Sequence, residues 1–203
     1  MSYAADRRAW LASVQNSDGG WGYAPGASSW LEPSAWAALA LLVAREYAGV
    51  VQKALALISL WQRPDGSYRP QAAVDEPAWA TSLAIILQLA TGQATGKVHT
   101  ATDRAAHWLL ETKGAEGALW RRVLARLGQR DSPLAGGAYG WAWVAGTSSW
   151  IEPTVHAALA LRGYLAVCPG RTSREHEIRY RIAAAERMLL ERRCADAGWN
   201  YGA

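Results

Sequence analysis

Set against itself with a shift of 120 residues, the chain repeats. Gly20-Trp21 falls on Gly140-Trp141, Ser28-Ser29-Trp30-Leu31-Glu32-Pro33 on Ser148-Ser149-Trp150-Ile151-Glu152-Pro153, and Ala37-Ala38-Leu39-Ala40-Leu41 on Ala157-Ala158-Leu159-Ala160-Leu161. At a shift of 44, Asp75-Glu76-Pro77 opens a third stretch that runs from Ala78 to Leu87. One copy of so short a unit cannot bury its own apolar face, so copies must stack on one another, and that restricts the fold to a repeat architecture. Each copy reads as Glu-Pro followed by an Ala/Leu-rich helix. Proline in a first helical turn forfeits no hydrogen bond and disfavours the helical conformation of the residue before it, which predicts helix N-caps at Glu32, Glu76 and Glu152.

The Ala/Leu-rich helices are apolar around most of their circumference, as buried helices are. Between them the pattern predicts amphipathic helices with one charged face, at roughly 4–15, 49–62, 102–112 and 174–193. Alternation of buried and surface helices with a period of about 40 residues predicts an all-α stack of helical hairpins with a dry inner layer. The surface helices end in a second recurring element. Gln15-Asn16-Ser17-Asp18-Gly19-Gly20-Trp21-Gly22 is echoed by Gln62-Arg63-Pro64-Asp65-Gly66-Ser67-Tyr68 and by Cys194-Ala195-Asp196-Ala197-Gly198-Trp199. Asp-Gly supplies a turn with positive φ, and the aromatic that follows is placed to cover the helix just completed.

Composition narrows the rest. With 51% apolar residues, 19% charged residues and 12 tryptophans in 203, the chain has enough apolar surface to offset the entropy of ordering. The length suits one domain spanning 1–203. The first thirty residues carry Asp6, Arg7 and Arg8 and no continuous apolar core of a secretory signal, and two cysteines make no disulfide scaffold, so a cytoplasmic location is expected. The net charge of +4 equals the four arginines between Leu119 and Arg130, within an insertion at about 114–138 that also breaks the repeat spacing. So local an excess argues against a nucleic-acid partner. Trp120, Val123, Leu124 and Leu127 form one apolar stripe with Arg121, Arg122 and Arg126 off it. This basic amphipathic helix, Trp120 to Arg130, is suited to peripheral contact with an anionic membrane.

The Gln-x-x-Asp-Gly-Gly-Trp-Gly segment resembles the QW repeat of squalene-hopene cyclases, whose relatives include the β-subunits of protein prenyltransferases. The resemblance covers nearly the whole chain and implies an α/α toroid with an inner-helix pocket for an isoprenoid or another apolar ligand. The cyclase signature is Asp-x-Asp-Asp-Thr at the start of an inner helix, with the middle Asp as proton donor. Here Ala73-Val74-Asp75-Glu76-Pro77 aligns with it. Asp75 then matches the general acid and Glu76 the last acid, while Ala73 replaces the first Asp. The prenyltransferase zinc site needs an Asp-x-Cys pair, whereas this chain has Cys194-Ala195-Asp196 in reverse order and its four histidines show no ligand spacing. No metal and no cofactor are expected.

Equivalent repeat positions should gather Glu32, Glu76 and Glu152 at one rim, close to Trp30, Trp36, Trp79, Trp141, Trp143 and Trp150, with His156 at the repeat position of Trp36. Carboxylates ringed by indoles suit a carbocation or organic cation held over aromatic faces, or a sugar stacked on tryptophan. Three functions stay open: a cyclase or prenyltransferase with Asp75, Glu76, Glu32 and Glu152 as its acids, a non-catalytic binding or scaffold domain, and a carbohydrate-active toroid. Three inner helices make half a ring, which predicts a homodimer or a partner chain that covers the exposed edges.

Overall fold

The structure is a computed structural model, and it describes residues 2–92, 97–115, 139–167 and 173–199. The basic stripe from Trp120 to Arg130, with most of the insertion at about 114–138, lies outside the described residues.

The protein is all-α. Seven α-helices are seen among the described residues: α1 (Tyr3–Ser13), α2 (Leu31–Leu42), α3 (Ala48–Leu60), α4 (Thr81–Ala90), α5 (Lys97–Glu111), α6 (Ile151–Val167) and α7 (Glu175–Glu191). Local chemistry explains several of their ends. Ser2 caps α1, its hydroxyl accepting from the Ala5 amide with Asp6 in the first turn. At α7, Glu175 and Glu177 sit at the positive end of the helix and pair with Arg179 and Arg174. Helix α4 stops at Thr91 and Gly92, the glycine at φ +67°.

The chain divides into two compact units, residues 1–105 and 106–203, with the boundary inside α5. In the first unit α2 packs against α1, α3 and α4, and its buried residues are Leu31, Ser34, Ala35, Ala37, Ala38 and Leu41. The serine and the three alanines among them let neighbouring backbones approach closely. In the second unit α6 packs along α7, around Leu161, Tyr164, Ile178, Ala185 and Met188.

Two sequence-derived expectations need correction. The Glu-Pro pairs do not supply N-caps. Trp30 is the N-cap of α2, extended at φ −123° and ψ 151°, while Glu32 lies inside the first turn, as Glu152 does in α6. The first four amides of a helix have no intrahelical partner, so Pro33 and Pro153 are accommodated as third helical residues, and the cap of α2 falls two residues before Glu32. Glu76 and Pro77 lie in the loop before α4, which starts at Thr81.

The second correction concerns register. In three places an aromatic amide donates to a hydroxyl thirteen residues later: Trp21 to Ser34 Oγ, Tyr68 to Thr81 Oγ1 and Trp141 to Thr154 Oγ1, each at 2.9 Å. These pairs align the second copy with the first at a shift of 47, not 44. Burial agrees, since the six buried positions of α2 map onto Ala78, Thr81, Ser82, Ala84, Ile85 and Gln88, all of them buried. The counterpart of Glu32 is then Trp79, and only Glu32 and Glu152 are equivalent carboxylates.

Candidate functional site

The recurring turns set the frame for any site. Gln15 Nε2 donates to the Gly19 and Val50 carbonyls at 2.8 and 2.9 Å, and Gln62 Nε2 repeats this with Gly66 and Ala101 at 3.2 and 2.8 Å. One glutamine thus ties the end of its own helix to the next surface helix. Asp18 accepts from the Gly20 amide and the Ser29 hydroxyl, Asp65 from the amide and hydroxyl of Ser67, and Asp196 from the Gly198 amide. Two of the three aromatics that follow the turns close helix ends as the sequence predicts: the indoles of Trp21 and Trp199 donate at 2.8 Å to the carbonyls of Leu11 and Leu189 near the ends of α1 and α7, while the Tyr68 hydroxyl accepts from Gln88. Trp141, outside that expectation, does the same as the two indoles for Leu109 near the end of α5. A carbonyl in the last turn, left without an intrahelical partner, is thereby satisfied. Trp141 is buried in this role.

The candidate residues divide between the units. In the first, Trp30 and Glu32 are half-buried at the start of α2, and Tyr23 joins them. The Tyr23 hydroxyl donates to Glu32 Oε2 at 2.5 Å, and its ring lies 5.7 Å from that of Trp30 at an interplanar angle of 57°. Partial burial, then the Glu32 carboxylate, hold the Tyr23 phenol well above its ordinary range. Trp79 is half-buried in the turn that leads into α4.

Trp36 is 44% exposed and lines an open cavity of about 420 Å³ with Trp10, Val14, Tyr23, Pro33 and Ala40. In the second unit Glu152, Trp143 and Trp150 are half-buried around the start of α6, and His156 is buried one turn further along.

Asp75 and Glu76 are exposed. Asp75, its side chain 69% exposed, is ion-paired with Arg63 Nη1 and, at 3.1 Å, with Arg69 Nη2. Arg63 also donates to the Asp75 carbonyl at 2.6 Å, so this carboxylate fastens the loop before α4 to the end of α3. Protonating an alkene asks for an acid kept away from water and from competing cations. The surroundings of Asp75 are wet and cationic.

Sequence reasoning passed over Tyr23, the hydroxyls Ser34, Thr81 and Thr154, and Arg181. The hydroxyls carried a signal, since a hydroxyl follows each clasp aromatic by thirteen residues. Arg181 carried none. It reads as part of a charged surface, yet it is buried on α7 with its guanidinium 4.6 Å from the Tyr139 ring centroid and 4.1 Å from that of Trp141, donating to the Thr112 carbonyl at 2.8 Å. Among the described residues no group of three His, Cys, Asp or Glu side chains is placed to hold a metal ion, and no helix is long and apolar enough to cross a membrane.

Helix pairs closed by the same aromatic–hydroxyl clasp define the class: an all-α protein of repeated helical units. No protein-family model matches the chain. Over 60 residues, 30% of its length, it is 45% identical to drimenyl diphosphate synthase of Streptantibioticus cattleyicolor. That stretch spans 11% of the synthase. The likeness is to a terpenoid-related enzyme and covers a small part of either protein.

Proposed function

We propose that the chain is a terpenoid-type α/α toroid protein that binds an isoprenoid or similarly apolar ligand where its Ala-rich helices begin. The observation that carries this reading is the 45% identity to a terpenoid synthase, on a chain whose helix ends repeat one clasp. Trp30 with Glu32, and Trp150 with Glu152, are the residues assigned to the ligand, because an indole beside a carboxylate stabilises a cationic or strongly polarised carbon chain. Catalysis would follow the class II cyclase pattern, with a carboxylic acid starting cyclisation. A non-catalytic binding role is the second reading, and the exposure and double ion pairing of Asp75 favour it.

Farnesyl diphosphate is a suitable probe. Saturable quenching of tryptophan fluorescence, weakened by Trp30→Ala, is the result expected of ligand binding. Product analysis by gas chromatography then separates the readings. A cyclised product lost in Glu32→Gln means catalysis, and quenching without product means binding alone. Absence of quenching removes both.

A further inference from the structure

We propose that the open groove between α1 and α2 is a self-association surface, on which α2 of a second copy packs antiparallel across a two-fold axis. The internal repeat supplies the reason. Trp36 and Ala40 are exposed on α2, with Val43 one turn beyond and Trp10 and Tyr23 on the opposite wall, so the face is apolar and open. Their counterparts on α4 are Leu83 and Leu87, and on α6 His156 and Ala160, and all four are buried. The fold therefore covers this face in both other places where it occurs. Helix α4 is packed against α2, an Ala/Leu-rich helix of the same repeat. The surface that fits the groove is accordingly another helix of that kind, and contiguous exposed apolar side chains such as Trp10, Trp36 and Val43 commonly mark an interaction surface.

Helix α2 itself meets the requirement. Its one charged residue, Glu32, is engaged by Tyr23 near the helix start, and the stretch from Pro33 to Ala44 is free of charge. Two antiparallel copies related by an axis near Ala38 set Trp36 of each against Ala40 of the other, one turn away. A large side chain then meets a small one twice, and Ala37 and Ala40 let the backbones close up. A two-fold interface needs that self-complementarity. The groove adjoins the residues assigned to the ligand, since Tyr23 borders both, but the inference rests on Trp36 and Ala40, whereas the ligand reading rests on Trp30 and Glu32.

Light scattering coupled to size exclusion, run on the full chain at tens of micromolar, tests it. The expected mass is twice the 22.0 kDa of one chain. Ala40→Arg sets a charged, bulky side chain against Trp36 of the other copy twice in an apolar contact built for a methyl group, so the dimer dissociation constant should rise by about tenfold or more. Ala40 is exposed, so folding should survive, which circular dichroism checks. Trp36→Ala, which empties the same contact without adding charge, should act in the same direction. A monomer at every concentration overturns the proposal, as does a dimer that persists in both variants. Unchanged farnesyl diphosphate quenching in Ala40→Arg would show the two sites to be independent. Loss of quenching together with the dimer would make the groove the ligand site and overturn the proposal.

Discussion

At the scale of single residues, the turn glycines show what the repeat demands. Gly19 and Gly66 lie at φ +95° and +93°, and a Cβ there would stand 2.8 Å from the Lys53 carbonyl oxygen and 2.4 Å from that of Arg104. Left-handed backbone and contact with a neighbouring helix coincide, so Gly19→Ala should cost about 2 kcal/mol or more. In the third turn Ala197 holds the equivalent position at φ 70°. Ala197→Gly relieves that strain while adding freedom to the unfolded chain, for a net gain of about 0.5 kcal/mol. Urea midpoints should move in opposite directions for the two variants. An unchanged midpoint in Gly19→Ala would mean that the turn is not a structural anchor. These glycines were legible because Asp-Gly demands such a turn. Arg181 was not, since its type predicts solvent and only the assembled unit places it over two aromatic rings.

At the scale of elements, α1, α3 and α7 follow hydrophobic period to within two residues, because amphipathic stretches differ so plainly in composition from Ala/Leu-rich ones, while α5 begins at Lys97, five residues before the expected 102. The start of α4 did not follow, because Glu-Pro served as the marker and proline is tolerated both inside a first turn and in a loop. The Gln and Asp of the turns already implied a shift of 47, so the conflict with 44 was present in the sequence. What the corrected register places together is a buried polar chain: Thr102 donates to Gln88 Oε1 at 3.0 Å and Gln88 Nε2 to the Tyr68 hydroxyl at 2.7 Å. Burial pushes the Tyr68 phenol up from 10.0 to about 12. A raised phenol is neutral in both folded and unfolded states below pH 10, where its contribution is complete, and that contribution is lost as pH rises toward 12. Alkaline titration should therefore remove roughly 3 kcal/mol in that window. Tyr68→Phe should abolish this portion, and near pH 7 it should cost about 1–2 kcal/mol because Gln88 loses an acceptor. Urea unfolding at both pH values checks this, and an equally steep alkaline loss in Tyr68→Phe would assign the transition to another group.

At the scale of the whole molecule, α5 is the element through which the boundary between the two compact units passes. Its first half gives Thr102 to the Gln88 chain, and its second half gives Leu109, whose carbonyl accepts the Trp141 indole. In repeat proteins neighbouring units gain stability from one another, so a helix that spans the boundary is the place where coupled unfolding of the two units can be tested. Leu109 is buried, and Leu109→Ala should cost about 2–5 kcal/mol through lost contacts and the cavity left behind. For a chain of this length that corresponds to a fall in Tm of about 10 °C. The fall should appear together in far-ultraviolet circular dichroism, which follows every helix, and in tryptophan fluorescence, which follows indoles of both units. Two separated transitions, with Leu109→Ala moving only the one assigned to residues 106–203, would show that α5 holds two independent bodies rather than coupling them.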